Sequence, residues 1–221
     1  MSSERELQIE VPERGLVSAV ARIPDSAVAL FVYAHGAGAP MRHKFMEASA
    51  EAFAARGVAT LRFNFPYAEA GRRAPDRAPV LTATIRAAVT KAHELSSLPL
   101  FAGGKSMGGR MTSHAILDGL GVRGLAFVGF PLHPPGKDGK ERSVHLRGVK
   151  LPMLFLQGTR DKLANLDLIT EVCDELGKRA VLHVVDGADH GFHVLKRSGR
   201  TDEEVLEELA DSLRSWLERL L

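Results

Sequence analysis

Short apolar runs of strand length alternate with longer segments of helical periodicity along this chain, and no other feature restricts its fold as strongly. AVALFVYA at 27–34, VATLRF at 58–63, LPLFA at 98–102, residues 125–130, MLFLQ at 153–157 and AVLHVV at 180–185 read as strands. Residues 42–56, 80–95, 109–117 and 166–176 have helical spacing, and so does 201–221, with its leucines. Gly57 is a stop for the first of these helices, and Thr201 with Glu204 three residues on is a capping box for the last. Two further strands, 7–11 and 16–22, precede the alternation and are expected to be antiparallel. Alternating strands and helices predict an α/β fold, a mostly parallel sheet covered on both faces. With 221 residues and no repeat, low-complexity tract or linker, the expectation is one domain over 1–221.

The charge balance narrows the function classes. Lysine and arginine total 29 against 27 acidic residues, a net charge of +2, which is no footprint for nucleic acid. Cys173 is the only cysteine, so neither a disulfide framework nor a thiolate metal cluster is expected. The N-terminus, MSSERELQIEVPERG, has charges where a signal peptide needs an apolar run. No apolar stretch approaches the ~18 residues of a membrane span. A soluble, cytoplasmic protein with no membrane partner is the expectation.

One short stretch carries the chemistry. FAGGKSMGGR at 101–110 contains both the GKS that ends a phosphate-binding loop and the G-x-S-x-G turn that presents a serine nucleophile. A phosphate loop needs a glycine five residues before Gly104, where this chain has Pro99. The loop that should wrap the phosphate is apolar strand sequence instead. The nucleophile turn needs an apolar strand in, a helix out, and small residues around the serine. Gly103, Gly104, Gly108 and Gly109 supply those around Ser106.

A serine hydroxyl is a weak nucleophile until a base and an orienting acid act on it. In this architecture the acid and then the histidine follow the serine, at the carboxyl ends of later strands. MLFLQ exits into GTRDKLAN and offers Asp161; AVLHVV exits into DGADHGFH and offers His190. His193 is a minor rival, and Asp186 and Asp189 read as turn residues. The oxyanion donors expected are the N–H groups of Met107, next to the nucleophile, and of Ala37 in the HGAG loop after the 27–34 strand.

Taken in order, YAHGAG, RFNFPY, GGKSMGGR, GFPLHPPGK, LFLQGTRD, GADHGF and KRSGRT resemble the α/β-hydrolase superfamily over nearly the whole chain. The resemblance is closer to hydrolases related to dienelactone hydrolase, and closest to the bacterial branch related to NSL-complex subunit 3 and testis-expressed 30 proteins. It implies an α/β-hydrolase fold with an eight-stranded, mostly parallel sheet, a Ser106–Asp161–His190 triad, and no need of a cofactor or metal. No long insertion follows Phe130, so no large lid domain is expected. The activity expected is cleavage of a small carboxylic ester or thioester. The competing reading is a non-catalytic binding or scaffolding module, as the eukaryotic relatives suggest. His35, Lys105 and His133 are candidate substrate contacts, with pairing to a nearby carboxylate as the alternative for Lys105. The basic loops 64–79 (Arg72, Arg73, Arg77) and 131–140 (His133, Lys137, Lys140) are expected to be solvated faces rather than anion sites. Arg110 is expected in a structural salt bridge, and the oligomeric state is left open.

Overall fold

A computed structural model describes residues 4–221; the first three residues of the N-terminal segment lie outside the described residues. Eight strands form one sheet in the order β1-β2-β4-β3-β5-β6-β7-β8. β1 (Glu4–Val11) and β2 (Gly15–Arg22) form an antiparallel hairpin that joins β4 (Val58–Phe63), also antiparallel. From β4 across the sheet every pairing is parallel, through β3 (Ala29–Ala34), β5 (Leu100–Lys105), β6 (Leu125–Val128), β7 (Met153–Gly158) and β8 (Ala180–Val185).

Alternate strand residues point to two separate cores. On one face Phe31, Tyr33, Phe101, Val128 and Leu156 pack against α1 (Lys44–Ala55) and α6 (Asp202–Glu218). On the other, Val32, Leu61, Ala102, Phe127 and Phe155 pack against α3 (Ala78–Leu95), α4 (Met107–Ala115) and α5 (Leu166–Leu176), while α2 (Pro66–Glu69) is a single turn. Covered on both faces, the central strands have no position left for a solvated side chain, which is why they read as continuous apolar runs. β8 is an edge strand and is only partly covered, with His183 reaching Glu208 of α6 at 2.7 Å.

The direction in which successive strands are added reverses at β3: β4 lies to one side of it and β5 to the other. In open parallel sheets the crevice at such a reversal, outside the strand carboxyl ends, is the usual ligand position. Here it brings together the ends of β3 and β5, from which the HGAG loop and Ser106 leave.

Several boundaries differ from those the sequence predicts. β5 runs three residues beyond Ala102, because Gly103, Gly104 and Lys105 stay paired with β6. α4 starts at Met107 rather than residue 109. Two loops contain local helix: α2, opened by Pro66, and a 3-10 segment at Glu141–Gly148. Residues 129–152, between β6 and β7, contain no lid beyond that segment. Among the described residues, no helix is long and apolar enough to cross a membrane.

Candidate active site

Ser106 occupies the corner between β5 and α4 with φ 51° and ψ −116°, a left-handed backbone that L residues rarely adopt. Two glycines make the corner possible. A Cβ on Gly104 would lie 2.3 Å from the carbonyl oxygen of Ala34, and one on Gly108 would lie 2.4 Å from the same atom. The elbow and the end of β3 therefore touch backbone to backbone. The hydroxyl is lifted out of the sheet and partly exposed, while the Ser106 N–H stays bonded to the Val128 carbonyl at 3.1 Å.

His190 arrives from the turn after β8. Its Nε2 lies 2.8 Å from Ser106 Oγ and its Nδ1 lies 2.7 Å from Asp161 Oδ2. A carboxylate can only accept, so Nδ1–H donates to Asp161 and Nε2 is left to accept the serine proton. The Asp161 side chain is fully buried, and His190 keeps 26% of its side chain exposed. Asp161 is held by more than the histidine. Leu163 N–H donates to Oδ1 at 2.7 Å and Gln157 Nε2 donates to Oδ2 at 2.5 Å. The other end of the buried Gln157 amide accepts from Phe130 N–H at 3.0 Å. Gln157 escaped the sequence reading; the available signal was a lone amide at the carboxyl end of MLFLQ.

The HGAG loop lies against Ser106. A Cβ on Gly36 would be 3.6 Å from Ser106 Cβ, and a tight turn closes as Ala39 N–H meets the Gly36 carbonyl at 3.3 Å. Ala37 lines the cleft above Ser106. Met107 is the first residue of α4, so its N–H has no acceptor within the helix.

The cleft that opens on Ser106 and His190 has a volume of about 740 Å³. Phe45, Met46, Leu163, Phe192 and Leu206 make its apolar walls, and His193, Asp202 and Glu203 lie at its polar end. His193 pairs with Asp202 at 2.8 Å rather than taking the base position, and Asp189 serves its own turn by accepting from Gly191 and His193 N–H.

Three sequence-derived expectations meet a different environment. His35 is fully buried, outside the cleft lining: Nε2 accepts from Phe65 N–H at 3.1 Å and Nδ1 lies 2.7 Å from the Gly36 carbonyl. Burial pushes its pKa down to about 4, so it is neutral at pH 7 and braces the HGAG loop. His133 is likewise buried and outside the cleft lining, accepting from Asn165 N–H at 2.8 Å, so it ties the loop after β6 to the loop after Asp161. Arg110 makes no ion pair among the described residues. Its buried Nε has no partner, and burial together with nearby Arg142 lowers its pKa. The basic loop residues also stay away from the cleft; Arg72 pairs with Asp76, and Lys140 with Glu171 and Glu175.

Lys105 alone of the candidate contacts lines the cleft. Only 7% exposed, it donates from Nζ to the His190 carbonyl at 2.5 Å. Among the described residues no group of three or more His, Cys, Asp or Glu is placed to hold a metal ion.

A serine on a sharp strand-to-helix corner at a sheet switch point, with a histidine and an acid delivered by the last two strand exits, is the arrangement of the α/β-hydrolase class. The chain belongs to the alpha/beta hydrolase domain family, which it matches over residues 27–218. Its fold is similar to that of dienelactone hydrolase from Anabaena variabilis, at TM-score 0.77 and 20% identity, covering 100% of this chain and 99% of that one. An α/β serine hydrolase without a lid from Xanthomonas campestris is similar at TM-score 0.76 and 19% identity, over 98% and 96% of the two chains. A serine hydrolase homologue from Coxiella burnetii matches at TM-score 0.75 and 22% identity, over 98% of each chain.

Proposed function

We propose that this chain is a serine hydrolase that cleaves a small carboxylic ester or thioester through an acyl-enzyme. The observation that carries the reading is the unbroken relay of 2.8 and 2.7 Å contacts from Ser106 through His190 to Asp161. In acylation His190 Nε2 takes the proton as Ser106 Oγ attacks the carbonyl carbon, and Asp161 stabilises the imidazolium that forms. The tetrahedral oxyanion is held by the N–H groups of Met107 and Ala37, a stabilisation of roughly 10²–10³ in rate per donor. Collapse expels the alcohol or thiol, which takes its proton from His190. A water activated by the same imidazole then attacks the acyl carbon and frees Ser106.

The size and lining of the cleft favour a small, largely apolar acyl group over a polymer. An open cleft of about 740 Å³ falls within the range of small-molecule sites, roughly 300–1,000 Å³. Turnover of short-chain nitrophenyl esters and thioesters tests the reading. The wild type should hydrolyse them, and Ser106→Ala should lose at least about 10³-fold in kcat. An inactive wild type across a broad acyl screen would remove the enzyme reading. Unchanged activity in the variant would remove Ser106 as nucleophile.

A further inference from the structure

A lysine next to the nucleophile, almost wholly buried, has no part in the chemistry above. Ammonium groups are strongly hydrated and seldom fully buried without a carboxylate partner. Lys105 has no ion pair within 4 Å among the described residues. Its Nζ lies 5.7 Å from the ring centre of Phe45 and 5.3 Å from that of Phe192, beside two rings stacked at 5.9 Å. A methionine would fill such a position without the desolvation of a charge. What methionine lacks is a donor, and the acceptor that Nζ meets among the described residues is the main-chain carbonyl of His190.

We infer that Lys105 is a positioning residue: its ammonium fixes the main chain of the His190 turn to the strand that carries Ser106, and so holds base and nucleophile in register. This deepens the serine-hydrolase reading and rests on it. The flanks of the turn are anchored, by Arg160 N–H on the Ala188 carbonyl, Gly187 N–H on the Thr159 hydroxyl and Val194 N–H on Asp202, but between those ties residues 189–193 are closed mainly on themselves. Asp189 accepts from Gly191 and His193, Asp189 N–H bonds the His193 carbonyl, and Phe192 sits at φ 61°. Bonds at both imidazole nitrogens orient the ring, but they do not fix the backbone from which it swings. The Lys105 bond does so directly, between residues 85 positions apart. The neighbouring chain leaves a slot for both groups. A Cβ on Gly129 would lie 2.8 Å from Nζ and 3.6 Å from His190 Cε1.

A cation beside the site opposes the imidazolium of His190 but favours the oxyanion that forms with it, so its field acts in both directions. A positional role predicts a slower reaction once the bond to the His190 carbonyl is lost. Titration gives a second signature. Burial pulls the Lys105 pKa down to about 8, against the upward pull of Asp161 and Asp189, the carboxylates nearest to it. His43, Lys44, His193, Asp202 and Glu203 complete the charged and titratable lining of the cleft. As pH rises through about 8 the ammonium becomes an amine, a weaker donor, and kcat should fall.

The test compares wild type, Lys105→Met and Lys105→Arg on nitrophenyl butyrate from about pH 6 to about pH 10, with fluorophosphonate labelling rates and melting temperatures measured alongside. The Met variant should lose about ten-fold or more in kcat near pH 7.5, keep KM within about two-fold, and lose the alkaline fall. The Arg variant, charged throughout, should recover activity and keep it at high pH. A Met variant as fast as or faster than wild type, a loss confined to KM, or an unchanged alkaline fall would overturn the inference and leave the hydrolase reading standing. If the Met variant does not fold, the wild-type profile decides: constant kcat to about pH 10 overturns the inference, and a fall near pH 8 that Lys105→Arg abolishes supports it. A wild type that neither labels nor turns over brings down the hydrolase reading and this inference with it.

Discussion

Gln157 illustrates how much a single amide can hold. Its NH₂ donates to Asp161 and its carbonyl accepts from Phe130 N–H, so acid, strand end and following loop are joined through one buried side chain. Gln157→Leu removes a charge-assisted hydrogen bond of about 1.5–3 kcal/mol, so kcat/KM should drop ten-fold or more as Asp161 loosens. It also strands a buried N–H, at about 1–3 kcal/mol of stability, readable in urea unfolding. Kinetics and unfolding both unchanged would contradict this role. That Ser106, Asp161 and His190 come together was legible in the sequence, because each leaves a strand end in the chain order expected of a serine, its acid and its histidine. It could not reveal Gln157, His35 or Lys105 in their positions, because these act through contacts 4 to 85 residues away. A histidine in a loop reads as a ligand until burial and a main-chain donor make it a brace.

At the scale of elements, α6 begins with a closed capping box: Glu204 N–H bonds the Thr201 hydroxyl at 3.2 Å, and the Glu204 carboxylate accepts from Thr201 N–H at 2.8 Å. Thr201→Ala should lower stability by about 1 kcal/mol, a fall of roughly 2–4 °C in Tm for a chain of this size, measured by calorimetry. An unchanged Tm would contradict it. This box, the strands at 58–63 and 180–185 and the helix at 166–176 were all legible, since local periodicity and caps alone define them. α2 and the segment Glu141–Gly148 were not, because the first is a single turn opened by Pro66 and the second, ERSVHLRG, has no apolar repeat. The strand end at Lys105 was equally hidden. Glycines read as a break, whereas pairing with β6 keeps them extended.

At the scale of the whole molecule, the sheet order places the candidate site by bringing the exits of β3 and β5 together. The alternation of elements announced a parallel sheet but not which strands are neighbours. That depends on two cores closing at once on opposite faces. The folded state also has a characteristic response to acid. His35 and His145 are held neutral by burial, each with a pKa pushed down to about 4 from 6.5. Between those values the unfolded chain binds protons that the native state refuses, so stability is complete above pH 6.5 and falls as pH drops toward 4. His35, fully buried, accounts for up to about 3 kcal/mol; His145 is part-exposed and adds less. Urea unfolding near pH 7.5 and pH 4.5 should show the difference; equal stability would contradict it. The proposed catalysis turns on one oxygen atom, Ser106 Oγ. The most direct test is to treat the protein with a fluorophosphonate and locate the adduct by peptide mass spectrometry. The geometry predicts modification at Ser106, abolished in Ser106→Ala and strongly slowed in His190→Ala. No adduct, or an adduct that survives Ser106→Ala, would contradict it.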